Sequence, residues 1–288
     1  MKTFIKKLDI FKIILFLALL IYTITLIVPF SWTVMTSFKT RLEFIGNKFG
    51  LPEEFSFSNY LRVFLAFKVP ARKEYANFIE LFTNGVLYSV LCSTASTIVC
   101  TMTAYVVAKY NCIFCRVLYS VIVVVMILPI VGSTPSTLQL MRDLNLHNTF
   151  LGVTLKNASF ISTYFLILYA AFKGISWEYA EAGFIDGASH WFIFIKVMVP
   201  LVLPTMLSIG LLNFITFWND WQTSLLFLPD HPTIAYGLYR FQTVTDPEVG
   251  GTPMLMCACV LVMIPIFVLF IIFKDKLLGS MTVGGIKG

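Results

Sequence analysis

Very little of this sequence is charged. Asp, Glu, Lys and Arg make up 12% of its 288 residues, and they are missing altogether from six long runs: 13–38, 81–108, 117–141, 157–172, 197–219 and 249–273. Five of these exceed the roughly 20 apolar residues that cross a bilayer, and the shorter fourth run extends outward past Lys156 to Asn148 and Thr149. With 58% hydrophobic residues and a mean hydropathy of +0.85, the chain belongs with integral membrane proteins. The runs predict six transmembrane helices, at about 13–38, 84–108, 117–138, 150–172, 197–219 and 253–273. The first follows Lys2, Lys6, Lys7 and Lys12 like a secretory signal, yet its apolar part is far longer than the roughly 7–15 residues of one, so an uncleaved span is expected.

Other absences exclude chemistry. There is no G-x-x-x-x-G-K-[ST] segment, so nothing cradles ATP phosphates in this chain. The three histidines, His147, His190 and His231, are scattered, with no spacing that suggests a catalytic triad or a zinc site. The predicted spans hold almost no ionisable group, which argues against an acidic proton relay. No basic stripe interleaved with aromatics accompanies the net charge of +6, which excludes nucleic acid as a partner. No internal repeat or low-complexity tract appears. The six cysteines make no disulfide framework: Cys92, Cys100, Cys257 and Cys259 fall in predicted spans, and Cys112-x-x-Cys115 lacks the second ligand pair of a zinc site.

What remains between the spans sets orientation and organisation. The N-terminus and residues 107–116, 173–196 and 274–288 carry 11 of the 21 Lys and Arg residues close to span ends, with five acids against ten on the other side. This places both termini inside. Residues 39–80, with 12 charged residues, form an external loop. Ser93, Thr94, Ala95, Ser96, Thr97, Thr101, Thr103 and Ala104 in the second span let a neighbouring helix approach closely. Pro129, Gly132 and Pro135 near the third span, Pro200 and Pro204 at the fifth and Pro265 in the sixth predict kinks or unwinding. The outer segment 220–252 holds Trp221 and Tyr236 near Trp218, residue types of the interfacial belt.

The segment 174–196 is longer than a tight helical hairpin requires. Glu178 to Ile185 suits a helix, with Glu178 and Glu181 in its first turns, where negative charge complements the macrodipole. Ala182, Ile185 and Ala188 follow at helical spacing. Asp186-Gly187 reads as a stop, because glycine accepts positive φ without a Cβ clash. A second stretch, ASHWFIFIKVMVP, leads into the next span with Trp191, Phe194, Ile195 and Met198 available to pack beneath it. Composition leaves two uses open for this helix, bend, helix: an amphipathic interfacial connector, and a helix held out to fit a partner's groove.

The stretch EAGFIDGA followed by PLVLP resembles the EAA loop of ABC importer permeases, and more narrowly that of the maltose-type carbohydrate branch of the type I importers. MTSFK, FSNYLRVF, FTNGVLYSV, AYVVAKY, LNLHNTFLG and the terminal GSMTVGGIKG are similar to family stretches in the same order over about 250 residues. The resemblance implies an all-α, six-span permease fold forming one transmembrane domain over 1–288, with a cytoplasmic coupling helix in the loop 176–200. It assigns ATPase docking to Glu181, Ala182, Gly183, Ile185, Asp186, Gly187 and Ala188, with Pro200 and Pro204 at the entry to the span. Gly183 replaces the usual second alanine, and Ser176 stands where the family often has proline. It further implies a bacterial cytoplasmic membrane, a second permease subunit, two ATPase subunits that bind ATP and Mg in place of any cofactor here, and an extracytoplasmic sugar-binding protein. The tail VGGIKG would reach toward the ATPases, and loop 228–252 toward the binding protein. No residue identifies the sugar, so amino acids, phosphate and other small solutes stay open as cargo, and an autonomous carrier or membrane enzyme stands as the alternative class.

Overall fold

The structure, a computed structural model, describes residues 10–71, 75–128, 132–243 and 251–282. Helices dominate. In chain order they are α1 (Ile10–Ser37), α2 (Arg41–Gly46), α3 (Ser58–Ala66), α4 (Phe78–Lys109), α5 (Ile113–Ile127), α6 (Ser133–Asp143), α7 (Phe150–Asn157), α8 (Thr163–Lys173), α9 (Glu178–Ile185), α10 (His190–Ile193), α11 (Val199–Trp218), α12 (Trp221–Phe227), α13 (Ile234–Phe241) and α14 (Thr252–Thr282). A two-residue antiparallel pair, β1 (Val69–Pro70) with β2 (Tyr75–Ala76), sits within the charged loop before α4. Among the described residues four helical stretches are long and apolar enough to cross a membrane: Phe11–Ser37, Phe78–Lys109, His190–Trp218 and Thr252–Lys274. Ile113–Ile127 and Thr163–Lys173 are shorter apolar helices.

The chain divides into two compact units. The first comprises residues 1–67 and 240–264. Its α1 exposes apolar side chains along most of its length, as suits a hydrocarbon surround. Just past α1 the chain turns on Lys39, which is fully buried and donates its ammonium to the carbonyls of Asn47 (2.7 Å) and Gly50 (2.6 Å). A buried ammonium is tolerated only when its protons are taken up in this way. Asn59, also buried, donates to the Ser37 and Lys39 carbonyls at 2.9 and 2.8 Å, fastening α3 to the end of α1. Part of the external loop read from sequence is therefore a folded element whose polar groups satisfy one another.

The second unit comprises residues 68–239 and 265–288 and is built around α4. Ser89, Ser93, Ser96, Thr97, Thr101 and Ala104 are all buried. At the crossing with α11, Asn213 Nδ2 donates to Thr97 Oγ1 at 3.1 Å, and a Cβ added to Gly210 would lie 3.8 Å from that oxygen. The small residues of α4 thus serve close helix packing. Cys92, Cys100 and Cys257 are buried and act as small apolar residues, the last of them in the first unit.

Two predicted spans are not continuous. The stretch 150–172 is broken into α7 and α8 by residues 158–162, and 117–138 is divided between α5 and α6. Gly132 takes φ +87° as the N-cap of α6, and Pro135 lies in that helix's first turn, where its missing N–H costs no helical bond. Pro129 lies outside the described residues. The break in the fourth stretch coincides with polar chemistry that hydropathy alone overlooks. Tyr88, fully buried on α4, donates to Asp220 Oδ2 at 2.8 Å and accepts from Asn157 Nδ2 at 3.2 Å, while Asp220 Oδ1 caps Thr223 N at 3.0 Å. Lys156 lies beside this cluster, its Nζ 4.9 Å from the centre of the Phe227 ring.

The stretch LNLHNTFLG also acquires a physical reason. Asn145 and Asn148 take positive φ, and a Cβ added to Gly152 would lie 2.0 Å from the Leu146 carbonyl oxygen, so only glycine lets the turn close onto α7. Asn148 then exchanges two hydrogen bonds with Asp230, donating to Oδ2 at 2.6 Å and accepting from the backbone N–H at 3.0 Å.

Candidate functional site

The segment between α8 and α11 sets exposed polar residues beside buried packing. α9 covers Glu178–Ile185, with Glu178 and Glu181 in its first turn. Trp177 occupies its N-cap without a side-chain bond, and Ser176 Oγ instead accepts the Glu178 N–H at 3.3 Å. Ser176, placed where the family often has proline, thus satisfies one of the helix's first donors.

The helix stops as Asp186-Gly187 predicts. Gly187 takes φ +79°, its N–H donates to the Phe184 carbonyl at 3.0 Å, and the Ala188 N–H donates to the Gly183 carbonyl at 2.9 Å. This pair of bonds is the Schellman motif, which satisfies the last carbonyls of a helix through one left-handed residue. The reversal brings Ala188 back beside Gly183, whose ideal Cβ would lie 4.0 Å from Ala188 Cβ. Ala188 therefore leaves the face shared by Ala182 and Ile185, contrary to the simple helical spacing, because the helix has already ended. Ser189 then caps α10 by accepting the Phe192 N–H at 3.3 Å.

One face of α9 is packed. Ala180 is fully buried against a cluster that includes Phe172, Ile193, Phe194 and Met198. A Cβ on Gly183 would come within 3.1 Å of Ile193 Cγ1, so glycine here admits a closer approach of α9 to α10 than alanine allows unless Ile193 yields. The other face is open: Glu178, Glu181, Ala182, Asp186 and Gly187 are exposed, and Ile185 is 86% exposed. An isoleucine so uncovered, at the tip of a short helix and beside carboxylates, presents a compact apolar point with an acidic rim. Of the residues expected to pack beneath the next span, Phe194 and Met198 are buried, whereas Trp191 and Ile195 are largely exposed.

α9 is held in place from α4. The Tyr110 hydroxyl and His190 Nδ1 are hydrogen bonded at 2.8 Å, and the Tyr110 ring meets Trp177 edge to face at 5.9 Å. Trp177 contacts Phe184 at 6.1 Å, and Phe184 meets His190 at 4.6 Å, closing a ring of four aromatic side chains. Lys109 Nζ donates to the Ile175 carbonyl, tying the end of α4 to the chain just before α9. Nothing in the sequence pairs Tyr110 with His190 across 80 positions. The segment AYVVAKY, which ends on Tyr110, was the only pointer.

Pro200 stands in the first turn of α11 and Pro204 inside it. The chain is helical from His190, passes through a π turn at Phe194–Met198 where Val199 N–H bonds the Phe194 carbonyl, and continues unbroken as α11. The wide turn directly precedes Pro200, which offers no N–H to an ordinary helical bond. Pro204 lies inside α11, and Ser208 Oγ bonds its carbonyl at 2.9 Å. The helix is thus continuous from α10 to α11, and the bend at 186–189 joins it to α9. The tail 283–288 and residues 244–250 of the outer loop lie outside the described residues. In the part of that loop within the second unit, Trp221 stacks face to face on Tyr239 at 3.9 Å. The structure also bonds Cys112 to Cys115, where the sequence predicted no disulfide framework.

Several known proteins are similar to this chain over most of its length. The chain is 27% identical over 272 residues to the diacetylchitobiose uptake system permease protein NgcG of Streptomyces coelicolor, which covers 92% of this chain and 86% of that one. It is 27% identical over 266 residues to the arabinooligosaccharides transport system permease protein AraQ of Halalkalibacterium halodurans, with 90% and 91% covered. Its fold matches, with TM-score 0.79 and 23% identity over 96% of this chain and 99% of the other, a chain from the crystal structure of a bacterial ABC transporter involved in import of the acidic polysaccharide alginate. Residues 98–283, which include α9, match the model of one family. The chain belongs to the binding-protein-dependent transport system inner membrane components.

Proposed function

We propose that the chain is the permease subunit of an ATP-driven importer that moves a carbohydrate, delivered by an extracytoplasmic binding protein, across the bacterial cytoplasmic membrane. One observation carries the mechanism. α9 exposes Glu181, Ala182, Ile185, Asp186 and Gly187 while Ala180, Gly183 and Ala188 anchor it to the helices behind. A short helix so held transmits a push without bending, because its packed face and the aromatic ring around Tyr110 resist displacement relative to α4 and α11. In this reading α9 is the coupling helix that seats in the ATPase subunits. ATP and Mg are bound by those subunits, and Pro200 and Pro204 lie where the motion enters the membrane.

In this reading the fold is one transmembrane domain whose six spans are α1, α4, the stretch 117–138, the stretch 150–172 that α7 and α8 make together, the continuous helix from α10 to α11, and α14. Both termini and α9 face the cytoplasm, and a second permease subunit completes the pathway. The carbohydrate cargo is supported by relatives named for diacetylchitobiose, arabinooligosaccharides and melibiose, raffinose and stachyose.

The full complex in proteoliposomes is expected to take up a radiolabelled oligosaccharide only when binding protein outside and ATP inside are both present. Uptake by this chain alone would overturn the assignment, and uptake of an amino acid instead of a saccharide would overturn the cargo. Orientation has a separate test. In a chain with Cys112 and Cys115 changed to serine, Ser189→Cys is expected to resist a membrane-impermeant thiol reagent in intact cells and to react once the cells are opened. Labelling in intact cells would put α9 on the wrong side.

A further inference from the structure

Transport as proposed makes no use of Cys112 and Cys115. Cys112 is the N-cap of α5, and its Sγ accepts the backbone N–H of Cys115 at 3.1 Å. The Cα atoms are 5.2 Å apart and the two sulfurs are bonded, a separation within the range that a disulfide spans. Access to the two is unequal: Cys112 is exposed, whereas Cys115 is 3% exposed.

The position favours reactivity at Cys112. A helix N-terminus gathers unpaired N–H groups and the positive end of the dipole, both of which stabilise a thiolate. Lys109 and Arg116 flank Cys112 closely in the chain and add positive charge to the same turn. An accessible sulfur in a thiolate-favouring place, backed by a shielded sulfur within bonding reach, has the layout of an exchange pair. The other four cysteines differ: Cys92, Cys100 and Cys257 are buried and Cys259 is partly so, none bonded to another sulfur.

We propose that Cys112 and Cys115 form a reversible thiol–disulfide exchange site for small-molecule disulfides of the glutathione class. The Cys112 thiolate attacks one sulfur of oxidised glutathione, forming a mixed disulfide and releasing one glutathione thiolate. Cys115, deprotonated as the second step begins, attacks the Cys112 sulfur and displaces the second glutathione thiolate. Two cysteine thiols are oxidised, the glutathione disulfide is reduced to two thiols, and the reverse sequence restores the dithiol. The proposal rests on the reading that the α4–α5 turn faces the cytoplasm, where the thiol pool keeps such a pair reduced until oxidants rise. The exchange then takes place two residues from Tyr110, whose hydroxyl holds His190 beside α9.

The test uses the full chain in nanodiscs, reduced, exposed to oxidised glutathione, freed of the excess, then unfolded in denaturant, treated with a maleimide mass tag and weighed intact. Wild type is expected to lose two of its six taggable thiols and to retain no glutathione. Cys115→Ser is expected to retain one glutathione, trapped on Cys112, and Cys112→Ser none, because its remaining sulfur is shielded. Wild type that stays taggable at both positions overturns the proposal, as does Cys112→Ser that takes up glutathione as readily as Cys115→Ser. The wild-type arm needs no variant, so a serine form that fails to fold leaves the test intact. Orientation is read apart from this: labelling of Cys112 in intact cells by an impermeant maleimide would overturn the cytoplasmic placement while leaving the exchange measured in nanodiscs standing.

Discussion

Gly187→Val is expected to lower ATP-driven uptake at least about tenfold while the chain remains in the membrane at its normal level. At φ +79° the backbone of residue 187 lies in the left-handed region, and an added Cβ would meet nothing within 4 Å. The cost is therefore conformational and owes nothing to crowding. Holding a β-branched residue in that region takes about 1–3 kcal/mol, and about 1.4 kcal/mol is a factor of ten in an equilibrium. Relief of the strain opens the bonds from Gly187 N to Phe184 O and from Ala188 N to Gly183 O, and the end of α9 loosens with them. Amide exchange at residues 187 and 188 should rise in step with the loss of uptake. Gly187→Asn serves as the control, because asparagine tolerates the left-handed conformation, and it is expected to keep most of the activity. Equal, undiminished uptake in the valine and asparagine forms would sink the idea that this bend holds the docking helix.

The second expected result concerns the exposed face. Glu181→Lys is expected to weaken association with the ATPase subunits by about tenfold or more, because it reverses the charge of the rim presented to the partner, and to make what remains sensitive to salt. The substitution reverses charge in the first turn of α9, close to Glu178, without touching the packed face formed by Ala180 and Gly183. Membrane insertion should be unchanged, and ATP hydrolysis should persist but no longer drive uptake. Glu181→Gln, which removes the charge without reversing it, should fall between the two. Co-purification of the complex in detergent at two ionic strengths reads the first effect. If the lysine form binds and transports like wild type, the acidic rim takes no part in docking.

The two substitutions probe features of different legibility. The helix at Glu178–Ile185 and its stop at Asp186-Gly187 could be read from sequence because both are local: carboxylates in a first turn and a glycine with no Cβ act within a few residues. What holds that helix could not. Gly183 reads as a weakened alanine until Ile193 is seen 3.1 Å from where its Cβ would stand, and Ala188 reads as a third residue of one face until the left-handed turn carries it back. Tyr110 looked like the end of a span, yet it is the residue that grips His190 and Trp177. Hydropathy also concealed the break between α7 and α8, because Ala158, Phe160 and Ile161 keep the average high while Asn157 turns to Tyr88, which in turn bonds Asp220. At Pro200 the irregularity that the sequence predicts takes the form of a π turn, through which one helix continues.

Sequence by itself determined the membrane character of the chain, its mainly helical composition and the placing of a charged helix and bend between two apolar segments. Run length, charge scarcity and turn chemistry each act over short stretches of chain, so their signals survive without a fold. Only the tertiary structure decided which face of α9 is free, that Lys39 is buried among carbonyls, that Asn148 meets Asp230, and that one sulfur of the Cys112–Cys115 pair is open while the other is shielded. Each of these depends on what surrounds a side chain once the chain has folded around it, and exposure and partnership of that kind are not properties of the residue itself.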